Sequence, residues 1–220
     1  MKSRILVVAG LSAGALIAGC GSSGNGGNVS STSLQPRLLP ASQVPGFGLQ
    51  RTLDWSDPVN LVGEGLALPQ ITHPSAAVQE FEGAHVRGAT GEILTSGSSF
   101  NQTEATLGVA QFKSPADATR VRDWMHSQDL HQPCYGQCIF SPYSASLAVP
   151  NSRFVVQSSK PPPPPPGAPP GAKAGPAPAN YLAEFTIGPY LYWATLHADS
   201  TARARFEEGV KRAYAHANQA

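Results

Sequence analysis

The chain opens on an apolar run, Ile5 to Leu11 and then Ala13 to Ile17, preceded by Lys2 and Arg4 and closed by small residues. A membrane span takes about 20 predominantly apolar residues, and this run is shorter and rich in Gly and Ala. Basic start, apolar middle and small close is instead the order of a secretory signal peptide. From Gly21 to Ser33 the chain holds one aliphatic side chain, Val29, and no charge. That stretch predicts a flexible tether, because it cannot bury a core.

Patterned sequence begins at Leu34. Leu38-Leu39-Pro40, Ala41 to Val44 and Pro45-Gly46-Phe47 predict a short helical turn stopped by Pro-Gly. Glu104 to Phe112 alternates through Ala105, Leu107 and Val109, the period of a strand. Ser114-Pro115-Ala116-Asp117 then starts a helix, with Ser as the cap, Pro at the first helical position and Asp three residues past the cap. Ala118, Val121, Trp124 and Met125 continue it as a buried stripe to about Ser127.

Phe154 to Gln157 is a short strand. Tyr181 to Ile187 and Tyr190 to His197, separated by Gly188-Pro189, predict a hairpin, and Pro in the turn excludes a type I′ geometry and predicts a wider connection. Tyr190, Tyr192 and Ala194 share one side of the second strand, while Leu191, Trp193 and Thr195 share the other. Apolar residues on both sides predict a central strand. Asp199-Ser200 starts a terminal helix with Ala202, Phe206, Val210, Ala213 and Tyr214 on one face and Arg203, Arg205, Glu207, Lys211 and Arg212 largely elsewhere. Without strict βα alternation the fold class is α+β: one domain over 34–220, a mainly antiparallel sheet packed by two or more helices.

Composition changes this picture in two places. The 22 Gly and 21 Pro among 220 residues concentrate in the tether and in a stretch of about 161–179 that opens with six prolines. Proline runs adopt polyproline II and cannot join a sheet, so this stretch is expected to be a disordered loop inside the domain. Fifteen basic residues face 14 acidic ones; with Lys2 and Arg4 removed alongside the signal, the mature chain is slightly acidic. Nucleic acid is therefore not expected as a partner, since its affinity comes from clustered Lys and Arg.

Three cysteines carry the candidate chemistry. Leu16-Ile17-Ala18-Gly19-Cys20 resembles the bacterial lipoprotein box, in which small residues admit a peptidase and the thiol accepts a diacylglyceryl group. The resemblance implies a signal peptide over 1–19, lipid attachment at Cys20 and a tether over 20–33, so the protein would sit on the extracytoplasmic side of the cell membrane. Two or three acyl chains on one residue anchor stably where a single chain is marginal.

The remaining pair, Cys134 and Cys138, is expected to form a disulfide in an oxidising compartment. Its small loop makes it worth about 2 kcal/mol. His126 and His131 just upstream allow zinc as a rival, although CxxxC is not a standard ligand spacing. His73, His85, His197 and His216 fall in no catalytic frame, and no GxSxG, HExxH, GxGxxG or P-loop occurs. Ser98 and Ser99 read as loop residues without a visible base, and the sequon at Asn101 is uninformative in such a protein. Trp55 and Trp193 read as core, with a ligand cleft as the alternative. Catalytic residues, metal ligands and cofactors are accordingly assigned as none, and ligand-binding residues are left open.

With its lipobox, Gly/Ser tether, Phe112-Lys113-Ser114-Pro115-Ala116-Asp117 before a helix and an aromatic strand and helix at the end, the layout resembles mycobacterial and related actinobacterial cell-envelope lipoproteins. It is also similar to the extracellular sensor domains of mycobacterial receptor serine/threonine kinases. Those domains carry two disulfides, whereas one pair is available here, and the proline loop is additional. The resemblance implies a non-catalytic binding or sensor module with an envelope ligand or protein partner. An envelope hydrolase with a site assembled from distant residues is the alternative.

Overall fold

The computed structural model describes residues 29–65, 74–97, 103–130, 140–159 and 175–220. Cys20, Cys134 and Cys138 lie outside them, as do His73, Ser98, Ser99, Asn101, His131 and the prolines of 161–174. In chain order the elements are α1 (Ser31–Leu34), β1 (Gly48–Asp54), α2 (Pro58–Asn60), α3 (Pro74–Gly83), β2 (Val86–Ser96), β3 (Thr103–Phe112), α4 (Pro115–Leu130), β4 (Phe140–Ser144), β5 (Ser152–Ser159), β6 (Pro178–Ile187), β7 (Tyr190–Asp199) and α5 (Arg203–Ala217). Short 3-10 turns at Gln35–Arg37, Ala41–Gln43 and Ser200–Ala202 link them.

Among the described residues seven strands form one antiparallel sheet in the order β1-β2-β3-β7-β6-β5-β4. The expected α+β class is the observed one. β7 is interior, as its two apolar sides require, and it joins the two halves of the sheet by pairing with β3. Its Tyr192, Ala194 and Leu196 face α5 and the N-terminal segment, where Leu34, Phe185, Phe206 and Val210 complete one core layer. Its Leu191 and Trp193 face α3 and α4, whose Phe81, Val121 and Met125 complete the other. Ser114 caps α4 as its sequence demands, its hydroxyl accepting from the Asp117 amide at 3.2 Å and donating to the Asp117 carboxylate at 2.7 Å.

Three expectations are corrected. The β6–β7 connection is tight, because Ile187 pairs directly with Tyr190. Gly188 takes φ +56° and Pro189 holds a negative φ, which is the sign pattern of a type II′ turn and suits a two-residue hairpin. Pro178 and Ala179 belong to β6 rather than to a disordered loop, with Pro178 at the strand's first position, where proline is tolerated. Ordered chain also begins before the expected end of the tether. The Val29 amide donates to the Arg87 carbonyl at 2.8 Å, and a Cβ at Gly88 would stand 2.2 Å from the Val29 carbonyl oxygen.

Trp193 leaves no room for a side chain at Gly108 and ordinary contact distance at Gly91. A Cβ on Gly108 of β3, the residue paired with Trp193, would lie 2.0 Å from the indole Cε2 and Cζ2 atoms; one on Gly91 of β2 would lie 3.9 Å from Cζ2. Gly108→Ala should therefore destabilise the protein by about 1–3 kcal/mol, the usual cost of overpacking a core. Gly91→Ala should cost much less, and denaturant melts of the two variants compare them.

Candidate functional site

Two places combine burial with chemistry, one on each side of the sheet. On the α4 side, Asp129 from the end of the helix and Glu184 from β6 are each 2% exposed and share a hydrogen bond. Burial lifts the Asp129 carboxyl to about 7, while its bond from Glu184 pulls the other way. Glu184 is raised well above the ordinary carboxylate range, first by burial and then by the adjacent Asp129, with Arg122 opposing. Glu184 thus keeps the proton and donates it to Asp129. Among the described residues, Asp129 Oδ2, Glu184 Oε2 and His126 Nδ1 have no hydrogen-bond partner.

A polar chain extends from this pair across the sheet. Gln157 Nε2 donates to the Asp129 carbonyl at 3.5 Å, Asn180 Nδ2 donates to Gln157 Oε1 at 3.2 Å, and His197 Nδ1 meets Asn180 Oδ1 at 2.9 Å. Thr106 and Thr195 hydroxyls bond each other at 2.8 Å on the same face. Arg122 is 5% exposed, and its guanidinium is held by Asp123 and the Asn151 carbonyl.

On the α5 side lies a cavity of about 140 Å³. Its floor is Leu94 of β2, Ala105 and Leu107 of β3, and Ala194 and Leu196 of β7; its walls are Phe206, Gly209 and Val210 of α5 and the segment from Leu39 to Phe47. Arg205, Glu208, Arg212 and Gln43 stand among its lining as the polar groups of the mouth. Next to it is an open polar recess of about 710 Å³ lined by Asn180, His197, Asp199 and Thr201. Arg205 lines both. Neither space is lined by Asp129 or Glu184; the polar chain from Asp129 reaches the recess at Asn180 and His197.

The histidines expected to be scattered stay apart in role. His85 is exposed beside Asp117, His126 is partly buried on α4, His197 belongs to the polar chain, and His216 Nε2 meets the Pro36 carbonyl at 2.9 Å. Among the described residues no group of three or more His, Cys, Asp or Glu could hold a metal ion. Ser56, Ser114 and Ser152 use their hydroxyls in turns and caps. Trp193 is 2% exposed and belongs to the core, while Trp55, half-buried, packs against it by stacking on Phe81 with ring centres 5.7 Å apart.

Sequence reasoning did not find the residues that matter here. Glu184 was readable as a lone acid at an inward position of an apolar strand, and Gly209 as a glycine inside an otherwise good helix. Leu107 was legible as one face of an alternating strand and Leu94 was not; only sheet assembly places the two on one floor.

No family model matches the chain, and no curated protein matches it. Among solved structures it is similar to the extracellular domain of PknH from Mycobacterium tuberculosis, at 12% identity, with a TM-score of 0.50, covering 86% of this chain and 98% of that one. The likeness is one of fold. Among the described residues no helix is long and apolar enough to cross a membrane.

The carboxyl pair sets a pH dependence. Its folded-state pKa values are raised, so its contribution to stability is intact below the ordinary carboxylate range and is lost as pH rises through about 7 and beyond. Glu92, raised by burial on the opposite face, acts in the same sense. His126 and His197, both lowered chiefly by burial, act oppositely, but only where the unfolded-state imidazole protonates, below about pH 7. Arg122, Asp123 and Arg153 are the other charged groups toward this region. From about pH 5 to pH 7 the parent's melting temperature should fall relative to that of Glu184→Gln, which keeps a donor for Asp129 and shares the histidine contributions, so that they cancel in the comparison.

Proposed function

We propose that this chain is a lipid-anchored, non-catalytic binding or sensor module of a bacterial cell envelope, facing the extracytoplasmic side. In this reading residues 1–19 are a cleaved signal peptide, Cys20 carries the lipid, and the glycine-rich residues after it hold the α+β domain off the bilayer. Cys134 and Cys138 form a disulfide that pins the loop after α4. The ligand site is the apolar slot between α5, the sheet and the Leu39–Phe47 segment.

The observation that carries the binding role is that slot. It is enclosed by elements distant in sequence, its floor and walls are aliphatic and aromatic, and its polar groups stand at the mouth. Such a pocket suits recognition, for which an apolar interior and few oriented polar groups are typical. A hydrolase needs a nucleophile and base beneath the bound group. Here the strongest acid/base pair, Asp129 and Glu184, lies on the opposite side of the sheet from the slot. Similarity of fold to an extracellular domain supports the extracytoplasmic placement, as does the order of basic, apolar and small residues before Cys20.

Cys20→Ala should abolish labelling by a clickable fatty acid and leave unprocessed precursor, whereas the wild-type chain should be labelled and fractionate with membranes. Labelling that persists in the variant would place the acceptor elsewhere.

A further inference from the structure

We propose that the slot against α5 binds the apolar end of a monomeric anionic amphiphile, whose carboxylate or phosphate is held at the mouth by Arg205 with Arg212 beside it. This rests on the slot being the ligand site and adds the class of ligand. The size comes from the cavity: at about 140 Å³ it matches the dry apolar cavities of about 150 Å³ that take up benzene. It therefore admits a ring or a short alkyl end, and not a whole diacyl lipid.

Gly209 is the second observation. It sits in the middle of α5, where glycine is about 1 kcal/mol worse than alanine, yet a Cβ built there would meet nothing within 4 Å. No packing contact demands the glycine. It lines the slot, so any side chain at this position would occupy the space that the helix leaves open.

The headgroup charge follows from the mouth. Glu208 is engaged with Arg212, whose Nε stands 3.3 Å from Glu208 Oε1. Arg205 makes no ion pair among the described residues; its guanidinium lies 6.0 Å from the Phe47 ring centre, over a wall of the slot. It also borders the polar recess, where Asp199 is occupied by the Thr201 amide at 2.8 Å. Arg205, Glu208 and Arg212 thus leave the mouth one net positive charge, and Arg205, whose charge also acts on Asp199 of the recess without an ion pair, stands at the boundary between an apolar and a polar compartment. An amphiphile crosses that boundary with its charge at the guanidinium. A cationic headgroup would meet repulsion, and a neutral one would leave the guanidinium unpaired.

The test uses the mature chain from residue 20 with Cys20→Ser, so that no acyl group of its own competes, and methyl-labelled leucine and valine. Octyl phosphate, octanoate, octanol and octyltrimethylammonium are titrated below their micellar concentrations, following the methyl signals of Leu39, Val44, Leu94, Leu196 and Val210. Both anions should shift these signals saturably. Arg205→Gln should weaken octyl phosphate about tenfold, the scale of one charge-assisted hydrogen bond, and leave octanol unchanged. Gly209→Leu should abolish the shifts with every probe while melting no lower than the parent.

If octanol and octyltrimethylammonium bind as well as the anions and Arg205→Gln changes nothing, the ligand class is wrong and the slot stands as a site. If octanoate alone is retained, the headgroup is a carboxylate; if octyl phosphate alone, a phosphate; both are within the proposal. If no probe moves the methyls, the slot is not the ligand site. Shifts that survive Gly209→Leu place the binding elsewhere and overturn the proposal.

Discussion

The indole of Trp193 lies against the backbone of β3 at Gly108, and only a hydrogen atom can occupy that side of the residue. This contact ties the two halves of the sheet together, because β3 and β7 form the junction between the β1–β3 and β4–β6 halves. It also fixes a register. A one-residue slip would turn Trp193 toward α5 and Tyr192 toward α4, exchanging every side chain of the central strand between layers. The same strand places Glu184 opposite Trp193 on its other flank. One aromatic side chain therefore sets the faces on which both the carboxyl pair and the slot are built.

The two faces then differ in kind. Under α4 the sheet buries acids, amides and hydroxyls, and its polar groups are linked in a chain from Asp129 to His197. Removing two carboxyls from water disfavours ionisation, and their proximity disfavours a second charge further. The result is a shared proton that borders neither the slot nor the recess and couples stability to pH. Under α5 the floor of the slot is aliphatic, and a Cβ at Gly209 would meet open space. The charged groups that line the slot are Arg205, Glu208 and Arg212.

Packing explains why these two regions can coexist. Aromatic stacking of Phe154 and Tyr181 on Phe206, with ring centres 5.7 and 5.6 Å apart, fixes the first turn of α5 to the sheet, and Phe185 meets Tyr214 near its end. The helix is held at both ends, so the gap between them survives. Arg37 clamps the N-terminal segment by lying 3.9 Å over the Tyr190 ring, which keeps the third wall of the slot in place.

Local signals were enough for the elements whose partners are near in sequence. The Ser114-Pro115-Asp117 cap, the β6–β7 hairpin and the face of α5 were all legible, because period and capping act within a few residues. β1, α3 and β2 gave no such signal. β2 carries glycines at 88 and 91, and the demand for glycine at 88 comes from Val29, a residue distant in sequence. The resemblance of Leu16 to Cys20 to a lipobox and the cysteine spacing likewise rest on short segments. The slot and the carboxyl pair are not: each joins residues far apart in the chain, and whether a glutamate in a strand meets water or another acid depends on which helix covers it. Pattern along one chain determines what each element is and which side it hides; only the assembled sheet decides what lies opposite that side.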